Sequence, residues 1–246
     1  MGKTIIDATQ AAAELKALID DAQSVVFFGG AGVSTASGIP DFRSPTGLYS
    51  QKFKWPPEYM LSHSCYVDHP EDFFDFYRDR VLALDAKPNQ AHLKLAELEA
   101  QGKLTAVITQ NIDGLHQAAG SQNVFELHGS VLRNYCEKCG TSYTAQWVRD
   151  TKGVPTCEKC GGRVKPDVVL YEEGLDNDVL TGAAMALATC DLLIIGGTSL
   201  VVYPAAALVP QFFRGSTLVI CNLEPTPQDA SADLICACDI AKAFDF

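Results

Sequence analysis

The sequence predicts an α/β fold built on a doubly wound parallel sheet, and three observations support this prediction. Short apolar runs without polar alternation recur along the chain, as expected for strands that are buried on both faces. Segments with apolar residues at helical spacing lie between several of these runs. The first run ends directly in a glycine-rich loop, which is typical of a strand that leads into a ligand-binding turn.

The expected elements alternate along the chain. A helix is expected over residues 8–20, followed by a buried strand from Ser24 to Phe28. Five further core strands are expected at Leu104 to Ile108, Val124 to Leu127, Val168 to Tyr171, Leu192 to Ile195 and Thr217 to Cys221. Helices are expected between several of them, at Asn89 to Glu99, Asp176 to Ala188 and Ala205 to Phe213.

Two stretches break this alternation and are expected to form a smaller domain. Residues 40–87 are rich in aromatic residues and proline and would form a helical insertion. Residues 131–165 contain two pairs of cysteines and would form a metal-binding module. The main domain would then comprise residues 1–39, 88–130 and 166–246.

Charge and hydropathy exclude several classes of protein. The 246-residue chain has a formal net charge of −11, so it offers no basic field for direct nucleic-acid binding. The N-terminus lacks the basic and apolar segments of a secretory signal, and we expect a cytoplasmic protein. The most apolar region, residues 185–209, is interrupted by Asp191, Gly196, Gly197 and Pro204, which argues against a membrane span.

The cysteine spacing predicts a zinc site. Cys136 and Cys139 form one CxxC pair, and Cys157 and Cys160 form the second. Four thiolates would fill a tetrahedral shell and leave no position for water or substrate, so the metal would be structural. A redox pair is the competing interpretation, but two adjacent pairs disfavour it. The other cysteines are expected to be small buried residues: Cys65, Cys190, Cys221, Cys236 and Cys238.

The glycine loop favours a dinucleotide but not a dehydrogenase. Gly30 and Gly32 would let a pyrophosphate approach backbone N–H groups. The dehydrogenase fingerprint requires a third small residue where Thr35 stands, so hydride transfer is disfavoured. In the next segment, Phe42 could cover an aromatic ring or reacting centre and Arg43 could bind a phosphate. A core phenylalanine and a surface arginine are the alternative.

Polar residues follow two of the expected strands. Gln110, Asn111 and Asp113 suit a sugar with several hydroxyls, although Asn111 and Asp113 could instead form a turn and cap a helix over residues 113–119. His128 is the best candidate for a general base, because imidazole titrates near neutral pH. The remaining histidines are expected to be structural or ordinary: His63, His69, His92 and His116.

In this order and spacing, the motifs resemble those of the sirtuins over nearly the whole chain. The matching segments are Gly30–Ser34, Gly38–Arg43, Thr109–Asp113, Glu126–Gly129, Gly197–Ala205, Asn222–Leu223 and the two CxxC pairs. The resemblance implies a Rossmann-like NAD-binding domain and NAD-dependent protein-lysine deacetylation. In that reaction the acyl group passes from lysine to ADP-ribose, and nicotinamide is released. Acyl-lysine side chains of proteins would be the partners.

The resemblance also assigns roles to individual residues. His128 would be the catalytic base, assisted by Asn111 and Asp113. Val169, Leu170 and Tyr171 would bind the substrate peptide by backbone pairing. The residues expected to bind NAD are Gly30, Ala31, Gly32, Thr35, Phe42, Arg43, Gln110, Asn111, Ile112, Asp113, Gly197, Thr198, Ser199, Asn222, Leu223, Asp239 and Ile240.

Departures from the family pattern leave the acyl group open. Gly30 stands where the family commonly has threonine, and Leu170, Tyr171 and Glu172 replace a Phe-Phe-Gly sequence. Tyr77 and Arg80 resemble the pair with which some sirtuins bind acidic acyl groups such as succinyl.

Three alternatives to deacetylation follow. They are removal of acidic acyl groups, ADP-ribosyl transfer to protein, and a non-catalytic NAD-sensing or zinc-ribbon module. The last is the least favoured, because a sensor does not need the base His128 together with Asn111 and Asp113.

Overall fold

A computed structural model gives the structure of the protein and describes residues 2–42, 44, 47–50 and 52–246. Among these residues, seven strands form one parallel sheet, and three further strands form a second sheet. The strands of the large sheet are β1 (Lys3–Ile5), β2 (Val25–Gly29), β3 (Leu104–Thr109), β4 (Val124–Glu126), β8 (Leu192–Gly196), β9 (Thr217–Cys221) and β10 (Leu234–Cys236).

The strand order, β1-β10-β9-β8-β2-β3-β4, places a topological switch point between β2 and β8. The chain runs from β2 through β3 to β4 towards one edge, and from β8 through β9 to β10 towards the other. Ligands of doubly wound sheets bind beyond the carboxyl ends of the strands at such a point. The segments after β2, β3, β4 and β8 are therefore where a binding site is expected.

Helices cover both faces of the large sheet. Alternate residues of β2 enter different cores, with Val25 and Phe27 on one face and Val26 and Phe28 on the other. The first face is covered by α1 (Ala8–Asp21), α5 (Gln90–Ala100) and α10 (Ile240–Ala243), and the second by α8 (Asn177–Thr189) and α9 (Ala205–Phe212). In the described part of the chain, no helix is long and apolar enough to cross a membrane.

The region before α5 is helical and has its own core. It contains α2 (Pro57–Met60), α3 (His63–Asp68), α4 (Pro70–Phe76) and a π-helical turn over Tyr77–Val81. Its aromatic side chains pack against Val131, Val168 and Leu170. A short helix, α6 (Leu115–Ala119), follows β3.

The second sheet has the order β6-β5-β7 and is antiparallel. It consists of β5 (Gly129–Cys136), β6 (Ser142–Thr144) and β7 (Val164–Val168), with α7 (Ala145–Asp150) after β6. Gly129 adopts φ 74°, and a Cβ there would lie 2.0 Å from the carbonyl oxygen of Asp167. Only glycine therefore allows β5 to begin this close to β7.

The fold class predicted from the sequence is confirmed, but two details of the strand prediction were wrong. The run Val168 to Tyr171 does not enter the parallel sheet; β7 ends at Val168 and belongs to the second sheet, while Leu170 packs in the helical core. The count of six core strands missed β1 and β10, which have three residues each and lie at one end of the sheet, with β1 as its edge strand. The expected helix over residues 113–119 begins at Leu115.

Candidate active site

The glycine loop after β2 lies directly against the end of β8. The N–H of Gly30 donates to the carbonyl of Gly196 at 3.1 Å, and the N–H of Gly32 donates to Gly197 at 2.8 Å. A Cβ on Gly32 would lie 2.8 Å from the Cα of Gly197, so a side chain there would collide with backbone. A Cβ on Gly30 would lie 2.7 Å from the Cβ of Thr198, which explains why this chain has glycine there.

A buried polar cluster lies beside this loop. The hydroxyl of Ser34 donates to Asp113 Oδ2 at 2.7 Å and accepts from Asn111 Nδ2 at 3.1 Å. Asp113 Oδ1 also accepts from the N–H of Leu115 at 2.9 Å. Asp113 thus forms a turn before α6, which the sequence left open, and also contacts the polar cluster, while its contact with a sugar stays a prediction. Ser34 was not among the predicted site residues, although it is the last residue of the matching segment Gly30–Ser34.

Gln110 joins the cofactor side of the site to the candidate base. Its Nε2 donates to Thr198 Oγ1 at 2.9 Å, across the switch point. Its backbone carbonyl accepts from Nδ1 of His128 at 2.9 Å. Gln110, which directly follows β3, therefore fixes the orientation of the His128 ring.

This contact determines which nitrogen of His128 is basic. A carbonyl oxygen only accepts, so Nδ1 carries the proton in the neutral ring and Nε2 keeps the free lone pair. Burial lowers the pKa of His128 below the ordinary histidine value, and the hydrogen bond to Gln110 partly opposes this effect. The ring is therefore neutral, and able to accept a proton, at neutral pH.

Other predicted cofactor residues surround the glycine loop. Ala31 begins a 3₁₀ turn, and Thr35 Oγ1 donates to the carbonyl of Gly32 at 2.9 Å. Phe42 is half-buried, as is Ile112, whose carbonyl accepts from Val131 at 2.9 Å. Arg43 lies outside the described residues.

The remaining predicted cofactor residues follow β8, β9 and β10 at the same edge of the sheet. Ser199 is half-buried, and Asn222 Nδ2 donates to the carbonyl of Glu224 at 2.6 Å. Leu223 is 69% exposed, as expected of a residue available to a ligand. Asp239 caps α10 by accepting from Ala241 at 2.8 Å, while Ile240 is buried. These segments all follow strands of the large sheet at its carboxyl edge, and their contacts with NAD stay a prediction.

Comparison with known proteins identifies the family. A family model described as the Sir2 family matches residues 30–204. The chain belongs to the Sir2 family. A relative from Clostridium acetobutylicum, named NAD-dependent protein deacetylase, is 55% identical over 235 residues, covering 94% of this chain and 96% of the relative. A relative of the same name from Clostridium perfringens is 57% identical over 231 residues, covering 93% and 95%.

Solved structures of Sir2 proteins have the same fold as this Sir2-family chain. A complex of Sir2 with a p53 peptide and NAD⁺ superposes with a TM-score of 0.82 at 40% identity, and 94% of each chain is covered. A Sir2 variant with deacetylated p53 peptide and 3'-O-acetyl ADP-ribose gives a TM-score of 0.86 at 39% identity, covering 94% of this chain and 95% of that one.

In this Sir2-family chain, the predicted substrate segment runs from the candidate base to the helical insertion. The N–H of Val169 donates to the carbonyl of His128 at 3.0 Å. Leu170 is buried, and the N–H of Tyr171 donates to the carbonyl of Leu61 at 3.0 Å. The carboxylate of Glu172 accepts hydrogen bonds from the backbone N–H and the hydroxyl of Ser64. Its negative charge therefore lies at the N-terminus of α3.

Tyr77 and Arg80, the candidate pair for acidic acyl groups, lie in different surroundings. Tyr77 is fully buried and stacks on Phe73, and its hydroxyl has no hydrogen-bond partner among the described residues. Arg80 pairs with Asp79 at 2.7 Å and lies over the ring of Phe53. The arginine is therefore already engaged by a neighbouring carboxylate.

The four predicted metal ligands form one cluster. Their sulfur atoms all lie within 4.8 Å of one another, with 3.4 Å between Cys136 and Cys160 and 3.6 Å between Cys139 and Cys157. A tetrahedral site with Zn–S bonds of about 2.3 Å requires sulfur separations of about 3.8 Å, so the cluster fits zinc. The hydroxyl of Tyr143 donates to Cys157 and lowers the pKa of that thiol to about 6, which favours the metal-binding thiolate.

The other cysteines are buried, as the sequence predicted. Only the four clustered sulfurs form a potential metal site among the described residues. The second sheet connects the sulfur cluster to the candidate base, because β5 runs from Gly129, next to His128, to the predicted ligand Cys136.

Replacing Asp113 with asparagine should weaken NAD binding. The new amide would place an N–H₂ donor where the Ser34 hydroxyl now donates, and Asn111 already donates to that hydroxyl. A ribose hydroxyl that loses a charge-assisted hydrogen bond to this carboxylate would bind more weakly by about 1.5–3 kcal/mol, which corresponds to a KM for NAD raised about ten- to 150-fold. Initial rates against NAD concentration measure this change. Asp178→Asn, at an exposed carboxylate on α8, is the matched control; equal effects of the two substitutions would contradict the assignment.

A pair of buried histidines beside the polar cluster of Ser34, Asn111 and Asp113 should lower the free energy of unfolding at acid pH. His92 and His116 are 0% and 1% exposed, and their ring centroids lie 4.7 Å apart. Burial lowers the pKa of His92 to about 4 and that of His116 to about 3. Below the unfolded pKa of about 6.5, the unfolded chain binds protons that the folded chain excludes, so stability falls as pH falls towards the folded values.

Between pH 7 and pH 5, this effect should remove about 4 kcal/mol from the free energy of unfolding, about 2 kcal/mol per histidine. Urea unfolding at the two pH values measures the loss. His116→Gln should reduce the pH dependence even if it lowers the stability at pH 7. An identical pH dependence in the variant, with zinc retained in both proteins, would exclude the pair as its cause.

Proposed function

We propose that this chain is an NAD-dependent protein-lysine deacetylase that transfers the acetyl group of lysine to ADP-ribose. The main support is the position of His128, whose basic nitrogen is set by the carbonyl of Gln110 next to the Ser34, Asn111 and Asp113 cluster. An NAD sensor would need the cofactor contacts but no oriented base. The names of the relatives and the ligands of the solved Sir2 structures support the same activity.

The residues at the switch point fit NAD. The loop from Gly30 to Gly32 provides backbone N–H groups without side chains in the way, as a pyrophosphate requires. The polar cluster offers hydroxyl, amide and carboxylate groups to a ribose. When bound, NAD supplies a ribose carbon that becomes electrophilic as nicotinamide leaves. Phe42 would cover this centre, and Asn222, Leu223 and the residues at the start of α10 would hold the distal end.

His128 would accept a proton from a ribose hydroxyl at Nε2. The Gln110 carbonyl, which already holds Nδ1, would stabilise the imidazolium that results. Because the reaction needs the neutral ring, activity would be lost as pH falls through the pKa of His128, which lies below the ordinary value of about 6.5.

The acyl-lysine of a protein substrate would enter between the main domain and the small domain. We propose the boundaries predicted from the sequence, with residues 40–87 and 131–165 forming the small domain. The N–H groups of Val169 and Tyr171 donate within the chain, and the carbonyls of Leu170 and Tyr171 accept from Glu173 and His63. Backbone pairing with a peptide would therefore fall to the carbonyl of Val169.

Mass spectrometry of acetyl-lysine peptides tests the proposed function. With NAD, the expected products are free lysine, nicotinamide and acetyl-ADP-ribose in equal amounts; without NAD, no lysine should be released. Release of free acetate without nicotinamide would refute the proposed acetyl transfer. ADP-ribose attached to protein, with the acetyl-lysine intact, would favour the alternative of ADP-ribosyl transfer.

The same assay addresses the acyl group. We expect acetyl-lysine to be turned over more than about tenfold faster than succinyl-lysine, because an unpaired carboxylate is costly to bury and the candidate pair is divided, with Tyr77 fully buried and Arg80 exposed. Arg80→Met should then leave both rates nearly unchanged. Succinyl turnover that equals acetyl turnover in the wild type and collapses in Arg80→Met would instead assign the arginine to an acidic acyl group.

A further inference from the structure

A pair of tyrosine hydroxyls joins two segments that lie 122 residues apart in the chain. The hydroxyl oxygens of Tyr49 and Tyr171 are 2.6 Å apart, which is a short hydrogen bond. Tyr171 is 37% exposed, so part of its ring faces solvent. The bond depends on both hydroxyls, because a phenylalanine at either position could not form it.

Tyr49 is fixed to the segment proposed to cover NAD. Its N–H donates to the carbonyl of Phe42 at 2.8 Å, and the N–H of Leu48 donates to Asp41 at 2.8 Å. The rings of Phe42 and Tyr49 meet edge to face, with centroids 5.7 Å apart. A displacement of Tyr49 would therefore displace Phe42.

Tyr171 is fixed to the segment proposed to hold the acyl-lysine peptide. Its N–H donates to Leu61, and its carbonyl accepts from His63, both at 3.0 Å. The next two residues are also held by hydrogen bonds, since Glu172 accepts from the N–H of Ser64 and Glu173 accepts from the N–H of Leu170, both at 2.9 Å. The Tyr171 hydroxyl is thus held from a rigid backbone.

We propose that Tyr49 and Tyr171 are positioning residues that couple the binding of NAD and of acyl-peptide. The bond holds the NAD-side segment against the peptide-side segment, so either ligand, by holding its own segment in this position, favours the arrangement that the other binds. Such coupling is reciprocal, and each ligand tightens the other by the same factor. This inference rests on the proposed function, because that function assigns one segment to contacts with NAD and the other to contacts with acyl-lysine.

Calorimetric titration of ADP-ribose, with and without an acetyl-lysine peptide, measures the coupling. ADP-ribose lacks nicotinamide, so no turnover disturbs the titration. In the wild type, the peptide should tighten ADP-ribose binding. In Tyr171→Phe, which keeps the ring and removes only the hydroxyl, this tightening should fall by about three- to tenfold, the value of one hydrogen bond.

A double-mutant cycle makes the test specific. Tyr49→Phe and the double variant should show the same loss as Tyr171→Phe, because any one substitution breaks the bond. Both KM values should rise in each variant while kcat stays within about twofold, as expected when only binding is affected. Tyr203→Phe, at a tyrosine that is 76% exposed, is the matched control and should change nothing.

Three outcomes would overturn the inference. They are equal ADP-ribose affinity with and without peptide in the wild type, unchanged coupling in Tyr171→Phe, and losses that simply add in the double variant. A wild-type protein that deacetylates peptide and shows one of these outcomes refutes only the coupling. A wild-type protein that releases no lysine refutes the proposed function, and the coupling with it.

Discussion

Replacing His128 with alanine should lower kcat for deacetylation by about 10²- to 10⁴-fold, the usual contribution of a positioned general base. The structure gives this histidine one basic nitrogen, because the Gln110 carbonyl occupies Nδ1. The substitution removes a ring at the end of β4 and leaves the glycine loop and its polar cluster in place. We therefore expect the KM for NAD to change far less than kcat.

A pH profile separates this role from a structural one. In the wild type, kcat/KM should fall as pH drops through the pKa of His128, which burial places below the ordinary value of about 6.5. The residual activity of His128→Ala should lack this acidic limb. His69→Ala, at an exposed histidine of the helical insertion, should keep both the rate and the limb. A near wild-type rate in His128→Ala would refute the assignment of the base.

The sequence was sufficient for the parts of the molecule in which neighbouring residues carry the signal. Buried strands with no polar alternation, such as Val25–Gly29 and Leu192–Gly196, were found because both faces of each strand are covered. The zinc ligands were found because two pairs at a fixed spacing allow few alternatives, and the sulfur cluster confirms them as a potential metal site. The roles of His128, Asn111 and Asp113 stay predictions, although Asn111 and Asp113 contact the same Ser34 hydroxyl and His128 contacts the carbonyl of Gln110.

What the sequence did not predict depends on contacts between distant segments. The strand Lys3–Ile5 is too short to stand out and forms only by pairing with Leu234–Cys236. The apolar run after Val168 was placed in the parallel sheet because periodicity does not reveal which core a run enters. Ser34 carries no signal by itself, and its importance appears only when Asn111 and Asp113 are brought to it.

Removing zinc should cost more than any substitution of a single polar contact. Binding of zinc to a four-thiolate site is worth on the order of 10 kcal/mol in small zinc domains, and that free energy also stabilises the fold. The core around the sulfurs is small, with Cys136, Cys157 and Val164 as its buried members. Without the metal, this core cannot hold β5 to β7 together, so we expect the second sheet to unfold at neutral pH after chelation.

Tryptophan fluorescence can follow this unfolding locally. Trp147 packs on Tyr143 with ring centroids 4.1 Å apart, and its Nε1 donates to Glu158, so its emission should shift to the red when the sheet opens. A Trp55→Phe background removes the other tryptophan of the chain. Cys157→Ser should reproduce the shift without chelator, whereas Cys238→Ala, at a buried thiol outside the cluster, should not.

Deacetylation should disappear together with the metal, although no zinc ligand belongs to the proposed catalytic site. Gly129, the first residue of β5, follows His128 directly and pairs with Val168 of β7. Loss of the second sheet would therefore remove the pairing next to His128 and break the hydrogen bond from the N–H of Val169 to the His128 carbonyl. The position of the His128 ring would then no longer be fixed on that side. Metal analysis alongside turnover tests this link. Full activity in a protein that has lost its zinc would show that the sheet holds the base without the metal.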